Sequence, residues 1–300
     1  MPAVLNREDL LQTRLDRVTR LLHGVEMGDV RAIHQTRVAS RRLRELLPVL
    51  QLDRDTSEKL GRRLRRQARS LGAIRELDVL LHLTGELQRA KRHADRALLR
   101  VEADIRQARE HARQRVPGKR VAGELERITR KTEKAVRGRK GHRTHRAWHW
   151  AIDARVARRA TAVDRAVEDA GALYLPERLH AVRIAAKKLR YALELSLDAA
   201  GKAPGVDFAV LKRTQALLGD IHDLQILADR VRQVQASAAP SDVAVRHDLD
   251  ALVVELDARC RRLHARYVRS RADLVDVCRR LSARTPAGRS SKTPALRRAG

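Results

Sequence analysis

The stretch Ile33-His34-Gln35-Thr36-Arg37-Val38-Ala39-Ser40-Arg41-Arg42-Leu43-Arg44 recurs, 146 positions on, as Leu179-His180-Ala181-Val182-Arg183-Ile184-Ala185-Ala186-Lys187-Lys188-Leu189-Arg190. Charge and apolar character are kept almost position by position. A second match follows each copy. Leu64-Arg65-Arg66 and Leu71-Gly72-Ala73-Ile74-Arg75-Glu76-Leu77-Asp78-Val79-Leu80 reappear, displaced by 147, as Leu211-Lys212-Arg213 and Leu218-Gly219-Asp220-Ile221-His222-Asp223-Leu224-Gln225-Ile226-Leu227. An offset this long is no solenoid period. It implies an all-α fold of two homologous helical bundles packed about a pseudo-twofold axis.

At about 100° per residue, His34, Arg37, Arg41 and Arg44 share an arc of roughly 80°, opposite Ala39, Leu43, Leu46, Leu47 and Leu50. His180, Arg183, Lys187 and Arg190 repeat the basic arc, and Leu189, Ala192 and Leu193 repeat the apolar one. Glu45 is the only acid between Arg31 and Asp53, so carboxylates one turn away do not relieve the repulsion among these cations. One basic helix is ordinarily a solvated face. Two in register, each with a histidine at the same place, point instead to a shared anionic ligand. Arginine forks match paired phosphate oxygens, lysine supplies a mobile point charge, and imidazole donates a hydrogen bond or gains a proton beside an anion.

Working outward, apolar residues at helical spacing predict helices over 7–27, 31–50, 56–71, 76–115, 123–136, 146–170, 177–199, 207–218, 223–237 and 243–282, with Gly and Pro at the junctions. The stretch 137–145 reads as a connector, and 284–300 as a disordered basic tail. One domain over 3–283 is expected, with repeat halves of about 3–118 and 143–283. The formal net charge is +28, and 54 of the 65 basic residues are arginine, which favours a polyanionic partner. Only six residues are Trp, Tyr or Phe, too few to stack many bases along a strand or to fill a β-sandwich. No run of about 18 uncharged apolar residues predicts a signal peptide or a membrane span. Cys260 and Cys278 lie on one predicted helix about 27 Å apart, too far to bridge each other. These features make a cytoplasmic location the expectation.

The motifs now resemble those of the CHAD family, the conserved histidine α-helical domain: His-x-x-Arg-Val-x-x-Arg-Arg-Leu-Arg from His34, Leu-Gly-x-x-Arg-Glu-x-Asp-Val from Leu71, Leu-His-x-x-Arg-x-x-x-Lys-Lys-Leu-Arg-Tyr-x-x-Glu from Leu179, and Leu-Gly-x-x-His-Asp from Leu218. The resemblance spans nearly the whole chain. It implies paired four-helix bundles whose basic helices face a central groove or pore that binds inorganic polyphosphate, often at polyphosphate granules. Carried over, it implies that His34, Arg37, Arg41, Arg44, His180, Arg183, Lys187, Arg190 and Tyr191 line that pore. Arg65, Arg69, Arg75, Lys212 and His222 would extend it. Glu76 stands where the family usually has Asp, and Gln225 where the first repeat has Asp78. Glu76, Asp78 and Asp223 are expected to orient the cations from behind, because a carboxylate against a polyanion is repulsive. Glu124-Leu125-Glu126-Arg127-Ile128 lacks the Lys of the triphosphate-tunnel motif that many relatives carry in an extra domain.

Other signals are weaker. His142, His145 and His149 have the spacing of a helical metal site, but Arg139, Lys140, Arg143 and Arg146 would repel a cation. His34 and His180 face the same objection. His222-Asp223 resembles part of a metal phosphohydrolase motif without its other ligands. A phosphotransfer histidine would want a Gly where Val38 stands, and no phosphate-cradling Gly-rich loop occurs. The expected function is therefore non-enzymatic polyphosphate binding, with no cofactor and no metal. A nucleic-acid binder and a polyphosphate-processing enzyme are the alternatives.

Overall fold

Three aspartate or asparagine side chains start helices. Asn6 accepts the N–H groups of Glu8 and Asp9 at 2.8 and 2.9 Å, Asp29 that of Ala32 at 2.6 Å, and Asp53 that of Thr56 at 2.8 Å. Each satisfies a backbone donor that the first helical turn leaves unpaired. The computed structural model describes residues 6–90, 95–137, 145–239 and 241–283, and every regular element among them is helical. In order these are α1 (Arg7–Thr19), α2 (Leu22–Glu26), α3 (Val30–Leu46), α4 (Arg54–Arg89), α5 (Asp95–Arg115), α6 (Gly118–Arg137), α7 (His145–Ala170), α8 (Pro176–Ala199), α9 (Val206–Ser237) and α10 (Val243–Ala283). A 3-10 turn, Leu47–Val49, follows α3 where Pro48 ends the α-helical hydrogen-bonding pattern.

Helices α7, α8, α9 and α10 close into a ring, α7 against α8, α8 against α9, α9 against α10 and α10 against α7. In the first half α1, α3, α4 and α6 make a similar ring, with the short α2 wedged against α3 and α6. The close approach of α6 to α2 depends on Gly118, where a Cβ would meet the Val25 carbonyl oxygen at 2.3 Å. Each ring encloses a core, one built around Leu43, Leu46 and Leu64, the other around Leu189, Leu211 and Leu274.

A third core joins the halves. Leu80 and Leu87 of α4 and Leu98, Val101 and Ile105 of α5 pack with Leu227 and Val231 of α9 and Leu249, Leu252 and Leu256 of α10. To reach it, α4 and α9 run unbroken through Gly72 and Gly219, for 36 and 32 residues, where the sequence had predicted breaks near 71–76 and 218–223. Glycine weakens a helix interior by only about 1 kcal/mol, and leucine burial on both sides outweighs it. The predicted helix over 76–115 is instead two elements, α4 and α5, and the one over 7–27 is divided between α1 and α2.

Ion pairs also tie α1 and α3 to α7 and α8. Arg14 pairs with Asp198 and Arg42 with Glu194, while Glu45 accepts from Arg155 at 2.6 Å and Arg159 at 3.2 Å. Cys260 and Cys278 are both buried free thiols on α10. No helix among the described residues is long and apolar enough to cross a membrane. The predicted tail, 284–300, lies outside the described residues.

Candidate anion-binding site

The two basic helices, α3 and α8, touch each other, and α4 and α9 cross beside them. Between the four lies a cavity of about 220 Å³ that collects seven of the sequence-predicted residues: His34, Arg37, Arg41, Arg75, Arg183, Lys187 and His222. Glu76 and Asp223 line it as well, rather than standing behind the cations. Its lining thus sets four arginines and a lysine against two carboxylates.

Local geometry holds these groups in place. Arg37 reaches across α4 to donate from Nη1 to the Ala68 carbonyl at 3.1 Å. It lies directly over Gly72, where a Cβ would stand 2.5 Å from that nitrogen. The missing Cβ at Gly72 leaves room for the guanidinium against the helix, whereas its repeat counterpart Gly219 has open space around it. Arg75 Nε donates to His34 Nδ1 at 3.2 Å, so that nitrogen carries no proton and Nε2–H is the remaining donor. In the repeat register His180 replaces His34 and His222 replaces Arg75, and these two imidazoles meet Nδ1 to Nδ1 at 3.3 Å. Their contact accommodates one proton between the two nitrogens.

Burial shifts the titrations, and the neighbouring charges modify the shifts. Lys187 is pushed down to about 7 by burial and then by Arg41, Arg183 and Arg37. Burial, followed by Arg41 and Arg75, lowers Arg37 to about 10. His222 falls to about 4 through burial, Arg183, His180 and Lys187. Burial raises both Glu76 and Asp223, with Arg37 and Arg183 respectively as the leading opposing influences. Arg183 stands 3.9 Å from Asp223. Burial leads every one of these shifts; the crowded positive charge adds to it at Lys187, Arg37 and His222 and opposes it at Glu76 and Asp223.

A family model described as the CHAD domain matches residues 9–232. The chain belongs to the CHAD domain family. Its fold is similar to the crystal structure of the CHAD domain from the plant Ricinus communis, with a TM-score of 0.60 and 22% identity, covering 88% of this chain and 95% of that one. It is also similar to PptA from Streptomyces chartreusis, with a TM-score of 0.58 and 19% identity over 95% of this chain and 99% of that one. No curated protein matches. Helix α10 follows the stretch that the family model covers and completes the second ring of this CHAD domain.

Several predicted pore residues lie elsewhere in the domain. Arg44 and Arg65 line a separate depression. Arg69 and Lys212 are exposed and do not line the cavity, and His180 reaches it only through His222. Tyr191 is 5% exposed, with the Arg190 guanidinium 4.6 Å above its ring. Asp78 serves no pore cation: it is 8% exposed and accepts from Arg109 of α5 at 2.6 Å, tying α4 to α5. Its counterpart Gln225 donates to the Tyr174 hydroxyl at 2.7 Å, which accounts for the departure from the repeat. Sequence reasoning missed Arg155 and Arg159, although the lone acid Glu45 on a basic helix was a signal that cations must come from another element. Among the described residues no three metal-ligating side chains converge. Of the three spaced histidines, His142 and the side chain of His145 lie outside the described residues, while the ring of His149 lies edge-on to Trp148.

Proposed function

We propose that this CHAD domain is a non-enzymatic receptor for inorganic polyphosphate, seated in the cavity between α3, α4, α8 and α9. The observation that carries the reading is the charge imbalance: Arg37, Arg41, Arg75, Arg183 and Lys187 face only Glu76 and Asp223 across about 220 Å³. A polyanion relieves that repulsion, and phosphate oxygens match both the arginine forks and the imidazole donors. Polyphosphate offers dense charge without bases, and the cavity wall accordingly contains no Trp, Tyr or Phe. The two carboxylates act as counter-charges that keep Arg37 and Arg183 in place. The reading extends to a cytoplasmic setting in which the domain attaches to polyphosphate granules.

Nucleic acid is the second reading, favoured by the net charge of +28. Competition separates the two. Excess polyphosphate displaces bound DNA, whereas excess DNA leaves bound polyphosphate in place. DNA that displaces polyphosphate mole for mole of phosphate overturns the proposal. Orthophosphate release with Mg²⁺ or Mn²⁺ that vanishes on mutation of the cavity would overturn its non-enzymatic part.

A further inference from the structure

Helix α6 has two unlike faces. Val121, Leu125, Ile128, Thr132 and Val136 are buried in the first ring, while Arg120, Arg127, Arg130, Lys131 and Lys134 are exposed. At about 100° per residue these cations share an arc of about 100°, and from Arg120 to Lys134 they run about 21 Å along the helix. No carboxylate of α6 falls inside that arc. Glu124 is taken by Arg63 of α4 at 2.7 Å and by Arg127 at 3.5 Å, Glu133 by Arg137 at 2.7 Å, and Glu126 lies on the flank of the stripe. Arg120, Arg130, Lys131 and Lys134 form no ion pair among the described residues.

Gly123 stands within the stripe, between Arg120 and Arg127, and a Cβ there would meet nothing within 4 Å. Packing does not require this glycine, which costs a helix interior about 1 kcal/mol relative to alanine. A face that merely meets water gains from carboxylates one turn away from its cations and loses by such a glycine. The α6 stripe forgoes the first and keeps the second. Both features suit an anionic partner that comes up to the helix backbone through the gap at Gly123. The first ring runs α1, α3, α4, α6, so the stripe lies diagonally across the core from α3, which carries His34, Arg37 and Arg41 into the cavity.

We propose that the outer face of α6 binds the sugar–phosphate backbone of duplex nucleic acid, without regard to sequence and separately from the ligand in the cavity. A straight row of ammonium groups and guanidinium forks matches a rigid rod of regularly spaced phosphates, and contacts to phosphate alone carry no base information. Helix α6 contains no Trp, Tyr or Phe on which single-stranded bases could stack, and exposes no large apolar side chain that could enter a lipid headgroup layer. The inference goes beyond the polyphosphate reading and does not depend on it: a domain with its cavity filled keeps α6 open to a duplex. Excess long-chain polyphosphate, itself a polyanion, still competes for these exposed cations.

Fluorescence anisotropy with a labelled duplex of about 20 base pairs, on the full chain, tests the proposal with two variants. The combined change Arg120→Gln, Arg130→Gln, Lys131→Gln, Lys134→Gln removes unpaired charges from exposed positions. Gly123→Leu closes the gap in the stripe, favours the helix and changes no charge, so it separates contact from net charge. The combined variant is expected to lose about tenfold to a hundredfold in duplex affinity and about three from the salt slope, and Gly123→Leu about fivefold in affinity, with tripolyphosphate binding unchanged in both. Duplex affinity unchanged in either variant overturns the proposal. Duplex binding that survives in the α6 variants but vanishes on neutralising Arg37, Arg41, Arg183 and Lys187 also overturns it, and counts against the polyphosphate reading of the cavity as well. Stronger binding to phosphatidylserine vesicles than to the duplex, lost in the combined variant, would assign the face to a membrane instead.

Discussion

Replacing Lys187 by methionine tests the cavity's electrostatics with an unbranched side chain only one atom shorter. Its ammonium titrates near 7 instead of the ordinary 10.5, chiefly through burial and then Arg41, Arg183 and Arg37. At about 1.4 kcal/mol per pH unit, that gap sets an upper bound of roughly 5 kcal/mol on the penalty the charged lysine imposes on folding. Below pH 7 both folded and unfolded chains hold the proton, and the penalty is at full strength. Between 7 and 10.5 the unfolded chain binds a proton that the folded chain lacks, so stability rises with pH and the penalty fades. Lys187→Met is therefore expected to raise the melting temperature by several degrees at pH 6, and by progressively less toward pH 10. Binding has the opposite sign. A polyanion restores the proton, so wild-type affinity falls by up to tenfold per pH unit above 7, and calorimetry in buffers of different ionisation enthalpy detects proton uptake at pH 8. A variant that melts lower at pH 6, together with wild-type affinity flat from pH 7 to 9, would refute this account of the buried charge.

Three further outcomes follow from named contacts. If all five cavity cations neutralise phosphate, polyphosphate affinity drops by about two to three decades between 50 and 200 mM salt, and a titration series insensitive to salt rejects ionic binding. Gly72→Ala places a methyl group 2.5 Å from Arg37 Nη1 and displaces the guanidinium, while helix propensity gains about 1 kcal/mol. Thermal melts should show stability unchanged or raised, and titration a severalfold loss of affinity; unchanged affinity would mean that Arg37 does not meet the ligand. Asp78→Asn breaks the pair with Arg109 and should cost about 1–3 kcal/mol in chemical denaturation, yet leave affinity per folded molecule intact. A selective loss of affinity would return Asp78 to the site.

The basic arcs were legible in the sequence because helical periodicity alone fixes which residues share a face, and α3 and α8 are straightforward amphipathic helices. The third core was not. Leu80, Leu87 and Leu227 look like ordinary apolar positions until α4 and α9 are known to run on past their glycines and meet α5 and α10. Asp78 illustrates a limit of motif reading: it follows Glu76 by two residues, about 200° around the helix, so the pair cannot face the same cavity. Arg65 shares roughly the face of Arg75 but precedes it by about 15 Å along α4, which carries it into the separate depression beside Arg44. Arg155 and Arg159 belong to a helix with no counterpart in the repeated motif, so only the burial of Glu45 exposes their role.

The central claim is that cations from both repeats converge on one ligand. Calorimetric titration of polyphosphate into the variant Arg37→Ala, Arg41→Ala, Arg183→Ala, Lys187→Ala, with helicity followed by circular dichroism, tests it most directly. The account predicts native helicity and no measurable binding at a salt concentration where wild type binds tightly. Wild-type affinity in the folded variant would contradict it.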